Sequence, residues 1–196
     1  MVPELIILSL LIGWALGGKF WQIGDVKIKC IWLMFVPLVM YIASCAALHS
    51  SVMVKYLWLA GPLHLTEKAI WLAVVLLNLR LPGAKVIFGG MVLNLAAMLA
   101  NGGLMPATPG ALVAVFGESY LKLAKSMPLV HSSIMDGRCP LWFLCDIIPA
   151  HKPYAFVPAV YSVGDMVMSV GIMIALISLM RAPSAAKVKS AERGTA

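Results

Sequence analysis

Residues Ser162 to Met180 read Ser-Val-Gly-Asp-Met-Val-Met-Ser-Val-Gly-Ile-Met-Ile-Ala-Leu-Ile-Ser-Leu-Met. One carboxylate, Asp165, opens this run, and no further charge follows until Arg181. A long apolar run with one ionisable residue at its start predicts a membrane-embedded helix. With its lead-in, this segment runs roughly from Val157 to Met180. A carboxylate inside or beside a bilayer is expensive, so Asp165 is a candidate functional residue. A second carboxylate, Asp146, lies upstream in Leu141-Trp142-Phe143-Leu144-Cys145-Asp146-Ile147-Ile148-Pro149. Two carboxylates near one membrane face suggest an acid/base pair sharing a proton.

The rest of the chain has the same character. Of its 196 residues, 62% are hydrophobic and 12% are charged. That is about half the charge of a soluble domain. The mean hydropathy is +0.95. These values predict an integral membrane protein of one domain. The net charge is +7, which in a soluble protein would raise nucleic acid as a partner. Here Lys and Arg fall in short loops and in the tail. Membrane topology and lipid headgroups account for them, and no nucleic-acid partner is expected. Most of the 13 methionines read as apolar filler, and the six tryptophans as an interfacial belt.

Five apolar segments are expected: Pro3 to Gly18, Cys30 to Ala47, Thr66 to Leu81, Lys85 to Ala100 and Val157 to Met180. Thr66 reads as an N-cap before Glu67. The first segment lacks a basic leader and reads as a retained helix, not a cleaved signal. Val52 to Ala60 is apolar but too short to span, so it either extends the second segment or lies in the interface. The fold class predicted is therefore an all-α polytopic membrane bundle of about five transmembrane helices. Residues 1–181 form it, including an outer region over 101–154. Residues 182–196 form a flexible cytoplasmic tail.

Loop 19–29, loop 80–85 and the tail carry nine basic residues on one side, in short segments. The positive-inside rule then places the N-terminus outside and the C-terminus in the cytoplasm. In the outer region, Asn101-Gly102-Gly103-Leu104-Met105-Pro106 reads as a turn. Gly110 to Lys125 reads as one amphipathic interfacial helix. From Asp165 to the inner face at Arg181 is about 24 Å at 1.5 Å per residue. Asp165 is therefore expected about one turn below the outer surface of a core about 30 Å thick.

Neither cysteines nor histidines form a metal motif, and no metal or other cofactor is expected. Cys30 and Cys45 read as buried thiols. Cys139 and Cys145 are either a disulfide or two free thiols. His131 and His151 lie on the same outer stretch as Asp146, while His49 and His64 flank a loop.

On these residues the stretch Arg138 to Ala175 resembles the C-terminal part of bacterial lipoprotein signal peptidases, which are intramembrane aspartyl proteases. Arg138 stands where that family has an arginine, and Asp146 where it has its first catalytic aspartate. Tyr161-Ser162-Val163-Gly164-Asp165 is similar to the motif that opens its last helix, with Asp165 as the second aspartate. Ser162 replaces the motif's asparagine and Gly164 its alanine. The acidic residue beside the arginine is displaced, in Asp136-Gly137-Arg138. Those peptidases have four spanning helices, and this chain has about five. Over its full length the chain resembles an uncharacterised family of small bacterial membrane proteins. That resemblance rests on Asn101 to Pro106, His131, Asp146 to Pro149 and Ser162 to Asp165.

The peptidase resemblance implies an endopeptidase in which one carboxylate takes a proton from water and the other polarises the scissile carbonyl. Its substrate would be a lipoprotein or a transmembrane peptide. Asn101, Arg138, His131 and Ser162 are the candidate substrate- or lipid-binding residues beside Asp146 and Asp165. The alternative is a non-catalytic membrane subunit of a larger complex, or a lipid- or quinone-binding protein. In that case the two aspartates form a structural lock. Membrane lipids are partners in either reading.

Overall fold

The structure is a computed structural model that describes residues 2–47, 57–126, 132–153 and 155–182. Its helices are α1 (Val2–Ala15), α2 (Phe35–Ala47), α3 (Ala60–Leu77), α4 (Ala84–Ala100), α5 (Pro109–Phe116), α6 (Glu118–Ser126) and α7 (Val163–Met180). The chain is mostly helical. By length and composition, α3 and α7 can each cross a membrane; α1, α2 and α4 are shorter apolar helices. Much of their apolar surface faces outward. Val39 is 62% exposed and Val170 is 52% exposed, which suits contact with an apolar medium better than with water.

The α4–α7 pair organises the molecule. Gly83, the N-cap of α4, and Gly90 within it lie seven residues apart, as do Gly164 and Gly171 of α7, and the two pairs meet in antiparallel register. A Cβ built on Gly90 would lie 2.5 Å from the Gly164 carbonyl oxygen, and one on Gly83 would lie 2.1 Å from that of Gly171. No side chain fits there, so the backbones touch, as at other membrane helix crossings built on small residues. Because Gly83 sits opposite Gly171, α4 begins level with the middle of α7. At its other end α4 overhangs α7 by about ten residues, some 15 Å. On this overhang the outer segments are built.

Helix α1 runs parallel to α7. The Glu4 carboxylate accepts a bond from the Phe156 N–H at one end. At the other, the Lys19 N–H donates to the Met180 carbonyl at 2.7 Å. The Asn78 side chain ties the end of α3 to the loop that precedes α2. It accepts from the Lys29 N–H at 2.8 Å and donates to the Lys29 carbonyl at 3.0 Å.

Three expectations change. First, the mostly helical chain also carries four short strands. Strand β1 (Met105–Ala107) pairs in parallel with β2 (Ser132–Ile134), and β3 (Ile148–Ala150) pairs antiparallel with β4 (Ala159–Tyr161). Prolines at 106 and 149 stop these stretches from becoming helix interior. Second, Gly110 to Lys125 is two helices. Gly117 takes φ +84°, a conformation that glycine adopts at little cost, and the chain turns there. Third, α3 begins six residues before Thr66. Thr66 lies inside it, its hydroxyl donating to the Pro62 carbonyl at 2.8 Å. The stretch Val52 to Ala60 falls mostly outside the described residues, and its end leads directly into α3.

Candidate functional site

Asp165 owes its place to the start of α7. Ser162 is the N-cap and Asp165 the third helical residue, and they form a capping box. The Asp165 N–H donates to Ser162 Oγ at 3.0 Å, and the Ser162 N–H donates to Asp165 Oδ2 at 3.0 Å. This satisfies two backbone donors that the helix cannot. The other carboxylate oxygen, Oδ1, accepts from Asn94 Nδ2 at 2.8 Å. Asn94 Oδ1 in turn accepts from the Ser162 hydroxyl at 2.7 Å. Three side chains from α4 and α7 thus close a ring of bonds around Asp165.

Gly164 makes that ring possible. A Cβ there would lie 2.1 Å from Asn94 Oδ1. The missing side chain at 164 is therefore the space that Asn94 occupies.

Asp146 is held by its backbone. Its N–H donates to the Pro106 carbonyl at 2.9 Å, and its carbonyl accepts from the Thr108 N–H at 3.0 Å. The next residue donates from the Ile147 N–H to the Tyr161 carbonyl at 3.2 Å. The stretch before β3 therefore lies between β1 and β4, one residue from the capping box. Burial pushes the Asp146 carboxyl from its usual 3.8 up to about 7, and the neighbouring Asp165 charge adds to this.

Both aspartates line one cavity of about 560 Å³, within the range of small-molecule sites. Its other polar lining residues are His64, Lys68 and Asn94. Lys68 pairs at 3.3 Å with Glu67, which is buried. The remaining lining is apolar and comes mainly from α3, α4 and α7.

The other predicted site residues lie elsewhere. Ser162 is fully buried and acts on Asp165 from behind the cavity. Asn101 binds the outer loop: its Nδ2 donates to the Ala97 carbonyl at 2.8 Å and to the Pro140 carbonyl at 2.9 Å. Arg138 is exposed and, among the described residues, forms no ion pair with either aspartate. Its N–H donates to Asp136 Oδ1 at 3.0 Å. His131 lies outside the described residues. Among these residues no group of three His, Cys, Asp or Glu converges as a metal site would.

Asn94, Lys68 and His64 were not singled out for this site by the sequence. Asn94 did carry a signal: it is the lone polar side chain in Met91-Val92-Leu93-Asn94-Leu95-Ala96-Ala97. A polar residue in a membrane-type helix needs a partner, and Asp165 is that partner.

Cys139 and Cys145 are free thiols, with their Sγ atoms 3.7 Å apart; a disulfide needs about 2.05 Å. Burial, with Cys139 adding to it, pushes the Cys145 thiol up to about 12. At pH 8 roughly one molecule in ten thousand then carries the thiolate. Cys145 is expected to resist iodoacetamide at pH 8 in the native protein and to react on unfolding, as read by peptide mass mapping. Reaction in the native state within minutes would show that this loop opens.

A family model described as a family of unknown function (DUF5317) matches residues 25–177, more than three quarters of the chain. No curated protein and no solved structure matches the chain.

Proposed function

We propose that this chain, which belongs to the family of unknown function DUF5317, is a membrane-embedded aspartyl endopeptidase working with Asp146 and Asp165. One observation carries the reading: both carboxylates line a single, mostly apolar cavity, and the nearer surroundings of Asp146 keep its proton on to about pH 7. A pair in which one member holds a proton near neutrality suits acid/base work. Asp146 is the acid that polarises the scissile carbonyl. Asp165, positioned by Asn94 and Ser162, takes the proton from the attacking water.

In this reading the five apolar helices cross the inner membrane of a bacterium. The N-terminus lies outside and the basic loops and tail lie in the cytoplasm. The contacts of Lys19 with Met180 and of Lys29 with Asn78 support a common basic end. Met105 and Asp146 bring the outer segments to the wall of the site. Its substrate is a lipidated or membrane-spanning peptide.

The test is cleavage of such peptides by the purified protein in lipid membranes, read by mass spectrometry. Asp146→Asn and Asp165→Asn are each expected to abolish cutting while the protein stays folded. Cutting by both variants, or failure of the native protein to cut any such peptide, would sink the reading.

A second reading, a non-catalytic membrane subunit or a lipid- or quinone-binding protein, is favoured by one observation. Both Asp165 oxygens already serve the capping box and Asn94, as a structural lock requires. Stable co-purification with other subunits, without cleavage, would support it.

A further inference from the structure

Two thiols meet on the outer segment just before Asp146. Cys139 and Cys145 lie with their Sγ atoms 3.7 Å apart. A disulfide is about 2.05 Å long, so the gap to close is about 1.7 Å. Three contacts already hold the loop between them. Asn101 Nδ2 donates to the Pro140 carbonyl at 2.9 Å. The Cys139 thiol donates to Asn101 Oδ1 at 3.4 Å, and the Cys145 thiol to the Leu141 carbonyl at 3.6 Å. The two thiols differ in access. Cys145 is fully buried in a cluster with Ala97, Met98 and Met105. Cys139 is partly exposed and stands between Arg138 and Pro140, both exposed.

We propose that Cys139 and Cys145 form a dithiol–disulfide pair that an external disulfide oxidises, fastening the segment that carries Asp146. Two exchange steps suffice. In the first, the Cys139 thiolate attacks one sulfur of R–S–S–R. Cys139–S–S–R forms, and R–S⁻ leaves and takes up the proton that Cys139 lost. In the second, the Cys145 thiolate attacks the Cys139 sulfur. Cys139–S–S–Cys145 forms, and a second R–S⁻ leaves and takes up the proton from Cys145. Two protein thiols are oxidised, and one external disulfide is reduced to two thiols. Cys139 is the point of entry, because the Cys145 sulfur is covered. Closure is the slow step. Burial pushes the Cys145 thiol up to about 12, so its thiolate is scarce at neutral pH. The titratable groups facing it are Cys139 and Asp146. The rest of its cluster is apolar, and Asn101 does not titrate. Closure therefore quickens about tenfold for each pH unit between 7.5 and 9. The finished ring spans residues 139–145 and ends one residue before Asp146.

The test uses the full chain in phosphatidylcholine nanodiscs, reduced, freed of reductant and given glutathione disulfide at pH 7.5. Samples are quenched in acid, unfolded, alkylated with N-ethylmaleimide and mapped by peptide mass. A glutathione adduct on Cys139 is expected first, then an internal Cys139–Cys145 bond with the loss of two hydrogens. Cys145→Ser should halt at the Cys139 adduct. Cys139→Ser should leave Cys145 unmodified while the protein is folded. The native adduct, isolated in acid and then moved to pH 7.5, 8 and 9, should close about tenfold faster per unit. In the oxidised protein the Asp146 and Ile147 amides, which donate to Pro106 and Tyr161, should exchange hydrogen more slowly than in the reduced protein. Native protein that keeps both thiols in excess glutathione disulfide, or that links them only between molecules, would overturn the proposal without need of a variant. Glutathione on Cys145 before Cys139, or equal amide exchange in the two forms, would also overturn it. A parallel run with an oxidised Cys-x-x-Cys protein separates the sources: the faster oxidant is the class of donor. None of these outcomes depends on whether a peptide is cleaved.

Discussion

Gly164→Ala is expected to destabilise the folded protein by about 1–3 kcal/mol, the usual penalty of overpacking. The added methyl would lie 2.1 Å from Asn94 Oδ1 and 2.6 Å from the Gly90 carbonyl oxygen. Asn94 can swing away, but the backbone of α4 cannot without moving the whole helix. Two losses follow: α4 and α7 separate, and Asp165 loses the Asn94 carboxamide. Gly90→Ala makes the same clash from the other side, 2.5 Å from the Gly164 carbonyl. Once the helices have parted for one methyl, the second costs less, so the double variant should lose less than the two single losses combined. Thermal unfolding in detergent checks this. A Gly164→Ala protein within about 0.5 kcal/mol of the native one would show that the crossing is looser than described.

Asp146→Asn is expected to raise stability at pH 8 and, if the proposed peptidase activity holds, to remove cleavage. The folded carboxyl titrates at about 7 and the unfolded one near 3.8. Between these values the native state keeps a proton that the unfolded state has lost. Stability therefore falls as pH rises from about 4 to 7, and is level above. The whole penalty is at most about 4 kcal/mol, at 1.36 kcal/mol for each pH unit. Asp146 is only half-buried, so water in the cavity will reduce it. Asparagine has no charge to desolvate, so the variant should match the native protein near pH 3.5 and exceed it at pH 8. Denaturation curves at the two pH values measure the difference. An unchanged pH slope would mean that Asp146 carries no such burden. Gain of stability with loss of activity is what a group strained for function gives on removal.

The two aspartates stood out in the sequence for a simple reason. Charge is so scarce along the apolar runs that any carboxylate there demands an account. Asp165 was also legible as a helix-start residue, because Ser162 and Asp165 have capping spacing. What surrounds them was not legible. Asn94 is 71 residues from Asp165, and nothing local pairs them. Lys68 and His64 reach the cavity only because α3 packs beside α4. Asn101 and Arg138 looked like site residues because of their neighbours in the chain. Asn101 instead binds the Pro140 carbonyl, since a carboxamide at a helix end takes the nearest free acceptor. The strands around Asp146 are not legible because each is three residues long, too short for alternation to register.

Apolar helices, their ends to within about six residues, and two carboxylates that interrupt the apolar pattern are legible in the chain without its fold. Hydrophobic runs, capping residues and charge placement act locally, so these features need no partner to be read. That both carboxylates line one cavity, with Asn94 beside Asp165, comes from packing in three dimensions. Those facts depend on how closely two backbones approach. Gly90 and Gly164 set that approach by lacking a side chain.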